Sequence, residues 1–277
     1  MDRRNFLHLL ATAAASSAFS RPASADGLPR HASVPGGIAV VNLGPEPSPP
    51  LARFNGERVL VAGDTSGWFA LVGIPLDAKA GTSLSLTIER TGRDPEPVAL
   101  VIGAKRYATQ HLSVKPGQVE LSSADAARHD KERTHLRGVL RTFSESAPDS
   151  LLLLQPCDGP RSDSFGKRRF FNRQPRSPHN GLDIAAPEGT PVTAAGAGNV
   201  LDVGDYFFSG QTLILDHGRG FLTLYAHLSE IDANVGERIP AGKRVGAVGA
   251  TGRVTGPHLH FSVYLNAAAV DPELFIS

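Results

Sequence analysis

The sequence predicts an all-β chain interrupted by one helix, and three observations predict it. Runs rich in β-branched and aromatic residues recur between Gly/Pro/Asp clusters, the pattern of short strands joined by turns. One segment, beginning at Ser122, carries an N-cap signal followed by helical spacing. Near the C-terminus, His258-Leu259-His260-Phe261-Ser262-Val263-Tyr264-Leu265 alternates polar and apolar residues with period two.

Composition narrows the function before any motif does. The chain has 277 residues, enough for two domains or one large one. Its 28 Lys+Arg and 27 Asp+Glu form no long run of one sign. That excludes a nucleic-acid binder held by phosphate neutralisation. Cys157 is the one cysteine, which excludes an intramolecular disulfide and a thiolate metal cluster. Nothing nearby activates it, so it reads as a small buried hydrophobe.

Residues 1–25 read as an export signal. Asp2-Arg3-Arg4-Asn5-Phe6-Leu7 precedes an Ala-rich apolar run from Leu9 to Phe19, and Ala23-Ser24-Ala25 supplies a small-x-small cleavage pattern. The run is shorter than the roughly 20 residues that span a bilayer. The arginine pair resembles a twin-arginine signal with Asp2 in the usual Ser/Thr position; a general secretory signal is the alternative. Either one implies an exported protein of the periplasm or cell envelope, with no integral membrane segment once the signal is removed.

Between about residues 26 and 121, β-like runs occur at Gly37–Leu43, Arg58–Ala62, Trp68–Ile74, Ser83–Arg90, Pro97–Ile102 and Val119–Ser122. Their spacing predicts a β-sandwich. His31 and His111 stand alone there and read as solvated or hydrogen-bonded. Residues 122–150 form the connection: Ser122 caps a helix running to about Phe143, with Leu136, Val139, Leu140 and Phe143 on one face. His129 and His135 fall on its charged, solvent-facing side.

The second domain, 151–277, is Gly-rich and again β, with runs at Leu151–Leu154, Val192–Val203, Thr212–Asp216, Phe221–Leu228 and Arg244–Val248 before the alternating strand. Asp216–Gly220 makes Thr212–Leu228 a hairpin. On its second strand, alternation puts Phe221, Thr223, Tyr225 and His227 on one outward face and Leu222, Leu224, Ala226 and Leu228 inward. On the last strand His258, His260, Ser262 and Tyr264 face out over apolar Leu259, Phe261, Val263 and Leu265. Taken alone, that pair of imidazoles fits a metal or acid–base site and fits two surface histidines on an edge strand.

The remaining histidines bear on the choice. The chain has ten, and five lie in this domain: His179, His217, His227, His258 and His260. His179-Asn180-Gly181-Leu182-Asp183 has a carboxylate four residues after an imidazole, but Pro178 and Gly181 disfavour a helix. Several imidazoles, one carboxylate and no thiolate suit a catalytic zinc, which keeps one coordination position open for water. Imidazoles beyond the ligand set remain for proton transfer and oxyanion stabilisation, a full set of parts for amide hydrolysis.

Residues 151–277 resemble the lysostaphin-type (LytM-like) zinc metallopeptidases, which cut peptide bonds in bacterial peptidoglycan. The matching segments are Ser164–Arg168, His179–Val192, Tyr225-Ala226-His227-Leu228, Gly256–Phe261 and Val270-Asp271-Pro272, in the family's order. The resemblance implies a lysostaphin-like β domain of the duplicated-hybrid-motif type, with one Zn2+ held by His179, Asp183 and His260. It places His227 and His258 at the catalytic positions and peptidoglycan peptides as substrate. Residues 26–121 are similar, less specifically, to the Ig-like N-terminal domain of some exported members. Ser262 departs from the family, many members carrying Glu there; it is expected to bear on substrate contacts and not on the metal set. Asn266-Ala267 replaces a commoner Asn-Gly. His217 reads as structural, and Tyr225 either as a hydrogen-bond donor to substrate or as an aromatic lining the cleft. Arg168, Arg169, Arg173 and Arg176 read either as a grip on stem-peptide carboxylates or as a solvated basic loop.

Two rival readings remain. A non-catalytic wall-binding or activator module on the same fold would lack some of the five site residues, all of which are present here. A biotinyl- or lipoyl-carrier domain would share the glycine-rich corners near Val245–Gly249 but leaves the histidines unexplained. Any regulatory protein partner is not identified by the sequence.

Overall fold

The computed structural model describes residues 27–112, 121–162, 164–172, 174–175 and 177–276. The export signal, Arg173, Arg176 and all but the last two residues of the Val119–Ser122 run lie outside them, as does the side chain of Arg169.

Two small sheets form the N-terminal part. β1 (Ile38–Gly44), β4 (Leu60–Asp64) and β5 (Gly67–Gly73) make one, in the order β1-β5-β4. β2 (Leu51–Phe54), β3 (Glu57–Arg58), β6 (Ser83–Glu89) and β7 (Glu96–Val101) make the other, in the order β3-β2-β6-β7. Alternate residues of both sheets, among them Ala39, Val61, Val72, Phe54, Leu86 and Ile88, interdigitate in one apolar cluster. This is a β-sandwich, as the turn spacing predicts. The opposite face of the first sheet is also apolar. Ile38, Leu60 and Leu71 join the large core of the C-terminal part, together with Phe221, Leu265 and Val270.

β8 (Thr109–Leu112) pairs in parallel with β9 (Arg168–Phe171), which continues to β10 (Gln174–Pro175). A strand from just beyond the sandwich thus lies beside the loop that leads to His179. His111 stacks on Phe170 there, with ring centroids 4.8 Å apart.

Helix α1 (Ser123–Val139) starts at an N-cap where Ser122 Oγ accepts from Asp125 N at 3.1 Å. It stops at Val139 rather than near Phe143, just after Gly138, and the chain turns so that Phe143 lies under the Arg58 guanidinium at 4.2 Å. Leu136, Val139 and Leu140 pack on the C-terminal sheet as their spacing requires. On the polar side His135 is exposed, as expected, and His129 is half-buried. His135 Nε2 meets buried Asp202 Oδ1 at 2.9 Å, and His129 stands edge-on to Phe208.

The C-terminal part is built on one bent sheet. Its strands are β11 (Leu182–Ile184), β12 (Pro191–Thr193), β13 (Gly198–Tyr206), β14 (Gly210–Gly218), β15 (Phe221–Ile231), β16 (Arg238–Ile239), β17 (Arg244–Val248), β18 (Leu259–Leu265) and β19 (Ala268–Val270). The order β11-β18-β15-β14-β13-β16 is flanked by β19 on β18, and β17 bridges β12 and β15. The predicted run Val192–Val203 is two strands, and Leu151–Leu154 makes only a single bridge, Leu153 to Ile276.

Both faces of the central strands are covered. Leu259, Phe261, Val263 and Leu265 enter the large core, as alternation predicts for β18. On β15 the expected faces are exchanged. Tyr225 pairs with Phe261 and Phe221 with Leu265, so these aromatics share the core face; Leu222, Leu224 and Ala226 face α1 instead. Tyr225 is wholly buried, its hydroxyl accepting from Ala195 N at 2.8 Å, and it is therefore neither a substrate donor nor a cleft lining. A sheet packed on both sides lets both alternating sets be apolar, so period two alone does not say which set faces the larger core.

Candidate metal centre

Register brings the first two groups together. Asp183 on β11 is the cross-strand partner of His260 on β18, so carboxylate and imidazole project from one face of adjacent strands. His179 arrives from the preceding loop, where Gly166 N donates to its carbonyl at 2.8 Å and its own N–H donates to Lys167 O at 3.1 Å. No helix forms between His179 and Asp183. Asp183 Oδ1 lies 3.1 Å from His179 Nε2 and 3.0 Å from His260 Nδ1.

A bulge delivers His227. Gln211 pairs with Leu228 and Leu213 with Tyr225, so Thr212 on β14 faces both Ala226 and His227 on β15. His227 takes the left-handed region at φ 64°, uncommon for a side chain with a Cβ. The extra residue moves its imidazole off Tyr225's core face and toward Ala226, the direct partner of His260. The His227 ring centroid stands 4.8 Å from that of His258 and 5.9 Å from that of His260. His258 precedes β18, bridged to Gly249, with Nε2 3.8 Å from Asp183 Oδ1.

Second partners orient the outer two rings. His227 Nδ1 is 3.0 Å from Thr251 O, and His258 Nδ1 is 2.9 Å from Gly256 O. A carbonyl only accepts, so each Nδ1 carries a proton and each Nε2 is left for the cluster. Burial, with His260 nearby, pushes His227 down to about 4, which leaves its ring neutral near pH 7. Burial lowers His260 as well. For Asp183, burial opposes ionisation, but hydrogen bonds from His179 and His260 outweigh it and hold the carboxyl well below the usual carboxylate range.

The donor set fits zinc. Two imidazole nitrogens and a carboxylate oxygen lie within 4.8 Å of one another, with no sulfur ligand. Ligands of a tetrahedral zinc stand about 3.3 Å apart, and the two N···O separations here are 3.1 and 3.0 Å. All five expected residues thus meet in one cluster. His179 Nδ1 is buried with no hydrogen-bond partner among the described residues.

One expectation holds and one changes. His217 is buried at the hairpin turn, bonded to Ala197 O and Thr223 Oγ1 at 2.8 Å each, away from the cluster as expected. Ser262, expected to stay clear of the metal set, lies 2.9 Å from His260 Nε2. It sits two residues along the same strand face, a signal present in the alternation itself. The carbonyls of Thr251 and Gly256 belong to turns and carry no side-chain signal that sequence reading detects. Arg168 is exposed, but it opens strand β9 and does not lie in a loop.

Comparison with known proteins matches both parts of the chain. Residues 177–272 match peptidase family M23, and residues 31–105 match the peptidase family M23 N-terminal domain. A Pseudomonas aeruginosa crystal structure assigned to peptidase M23 is 41% identical, with a TM-score of 0.74 over 88% of this chain and 95% of that one. Peptidoglycan DD-endopeptidase ShyA of Vibrio cholerae is 40% identical over 111 residues, which is 40% of this chain and 26% of ShyA. DD-carboxypeptidase/endopeptidase Mpg of Neisseria meningitidis is 43% identical over 94 residues, 34% of this chain and 22% of Mpg. The chain therefore spans about a quarter of the length of these two curated relatives.

Proposed function

This chain belongs to peptidase family M23, and from that premise we propose that it is a zinc-dependent metalloendopeptidase hydrolysing the peptide cross-links or stem peptides of bacterial peptidoglycan. The observation that carries the reading is the convergence of His179 Nε2, His260 Nδ1 and Asp183 Oδ1 beside two further imidazoles. His179, Asp183 and His260 would hold one zinc ion, which supplies a Lewis acid and an activated water when bound. His227 and His258, each held through Nδ1, leave their Nε2 atoms for proton exchange in the same space. One takes the proton of the attacking water and passes it to the leaving amine, while the other, protonated, donates to the developing oxyanion. Their backbone partners fix both rings, so little reorientation is needed as charge develops.

The names of ShyA and Mpg support a peptidoglycan substrate and make the D,D bond the first to test. Action on the wall requires export to the periplasm or envelope, which residues 1–25 are suited to direct. Among the described residues no helix is long and apolar enough to cross a membrane.

Metal analysis beside a turnover assay on purified sacculi tests the assigned roles. His260→Ala and Asp183→Ala should lose both zinc and activity. His227→Ala and His258→Ala should keep zinc and lose about 10²–10⁴-fold in turnover. Wild-type digestion by His260→Ala contradicts the ligand assignment. A zinc-loaded wild-type chain that leaves sacculi intact points to a non-catalytic wall module.

A further inference from the structure

The His260 ring is fixed at three points. Nδ1 faces Asp183 Oδ1 at 3.0 Å and Nε2 faces Ser262 Oγ at 2.9 Å. The Cε1 edge between them lies against Gly181, where an added Cβ would stand 2.6 Å from Cε1 and 2.6 Å from Ser262 Oγ. Ser262 is fully buried, so water does not compete for its hydroxyl. The buried phenol of Tyr264 follows on the same strand face and interacts with that hydroxyl, and Asn180 Nδ2 donates to the phenol oxygen at 3.0 Å. Asn180 follows His179 directly, so these contacts return to the loop carrying the other imidazole.

A ring nitrogen ligates only through a lone pair. The proton that Nδ1 gives to Asp183 here must leave it when Nδ1 acts as ligand; the ring proton then belongs on Nε2, and a buried N–H requires an acceptor. We propose that Ser262, steadied by Tyr264 and Asn180, is the positioning residue that holds His260 in the tautomer presenting Nδ1 to the metal. This rests on the zinc reading of the site. Outer partners of metal-bound histidines fix ring tautomer and orientation, and a serine does so without adding charge. The anionic charge of the centre then stays with Asp183 alone. Gly181 belongs to the same device, since a side chain there would displace the imidazole and the hydroxyl together.

Zinc affinity of the full chain, measured by competition with a chromophoric chelator, tests this, alongside 15N–1H spectra of His260 in the zinc-loaded protein. Ser262→Ala should weaken zinc binding by about 10–100-fold, and Ser262→Thr, which keeps the hydroxyl, should recover most of it. The wild-type His260 Nε2 proton should exchange slowly with solvent, and in Ser262→Ala it should exchange fast. Equal affinity and an equally protected proton in Ser262→Ala overturn the proposal. Tyr264→Phe leaves Ser262 in place and serves if Ser262→Ala does not fold. It should weaken zinc severalfold, and unchanged affinity there counts against the relay. A wild-type chain that takes up no zinc fails earlier, and refutes the metal reading itself.

Discussion

Each imidazole of the cluster except His179 is committed through a second nitrogen: His227 to Thr251 O, His258 to Gly256 O and His260 to Ser262. These partners decide which nitrogen faces the reaction space, and only Ser262 among them is a side chain. Burial has a different consequence at His217, outside the cluster. Desolvation lowers its pKa, so below the ordinary histidine value of about 6.5 the unfolded chain binds a proton that the folded chain resists. Stability from His217 is therefore full above that value and declines as pH falls through it. Thermal unfolding between pH 7.5 and 5 should show this decline, and His217→Gln should flatten it; an unchanged slope contradicts the assignment. At this scale the sequence was informative wherever alternation or motif spacing set the geometry, as for Asp183, His258 and His260. His227 was legible as a member and not in its path, because period two groups it with Tyr225, which the fold buries.

Two irregularities in strands do much of the positioning. The bulge at Ala226-His227 changes the side to which β15 sends its last histidine, and no residue type there announces it. The β18–β19 turn is the second. Asn266 and Ala267 both have positive φ, 42° and 61°, the conformation of a two-residue hairpin that favours Asn-Gly. Asn266 adopts it readily and uses its amide on the N-terminal sheet, accepting from Gly73 N at 2.7 Å and donating to Gly73 O at 3.1 Å. Ala267 is exposed and pays for its Cβ in this region. Ala267→Gly should raise stability by about 0.5–1 kcal/mol, after allowing for glycine's greater freedom when unfolded. Chemical denaturation measures it, and a loss of stability contradicts the account of the turn. The Asn-Ala departure was visible in the sequence, but its partner across the sandwich was not, since Asn266 and Gly73 are 193 residues apart.

Across the whole molecule, the N-terminal sandwich and the C-terminal sheet share one core through Ile38, Leu60 and Leu71. Lys105 adds an ion pair to Asp271 at 3.0 Å, and β8 lies along β9 beside the loop of His179. Contacts of this kind join residues far apart in the chain and leave no local pattern, so strand spacing predicted the sandwich without its docking face. Gly73 marks that face: a Cβ there would stand 2.7 Å from Leu265 O and 2.9 Å from Leu265 Cβ. Calorimetry should find one cooperative transition for both parts, with Gly73→Ala lowering stability by about 1–3 kcal/mol; two separate transitions contradict a shared core. The proposed chemistry is tested most directly by mass spectrometry of cross-linked muropeptides after incubation with the full chain. Cross-linked dimers should fall to monomers, a chelator should stop this and zinc restore it, and His260→Ala should leave the dimers intact. Dimers untouched by the zinc-loaded wild-type chain, or cleaved at an undiminished rate by His260→Ala, contradict that chemistry.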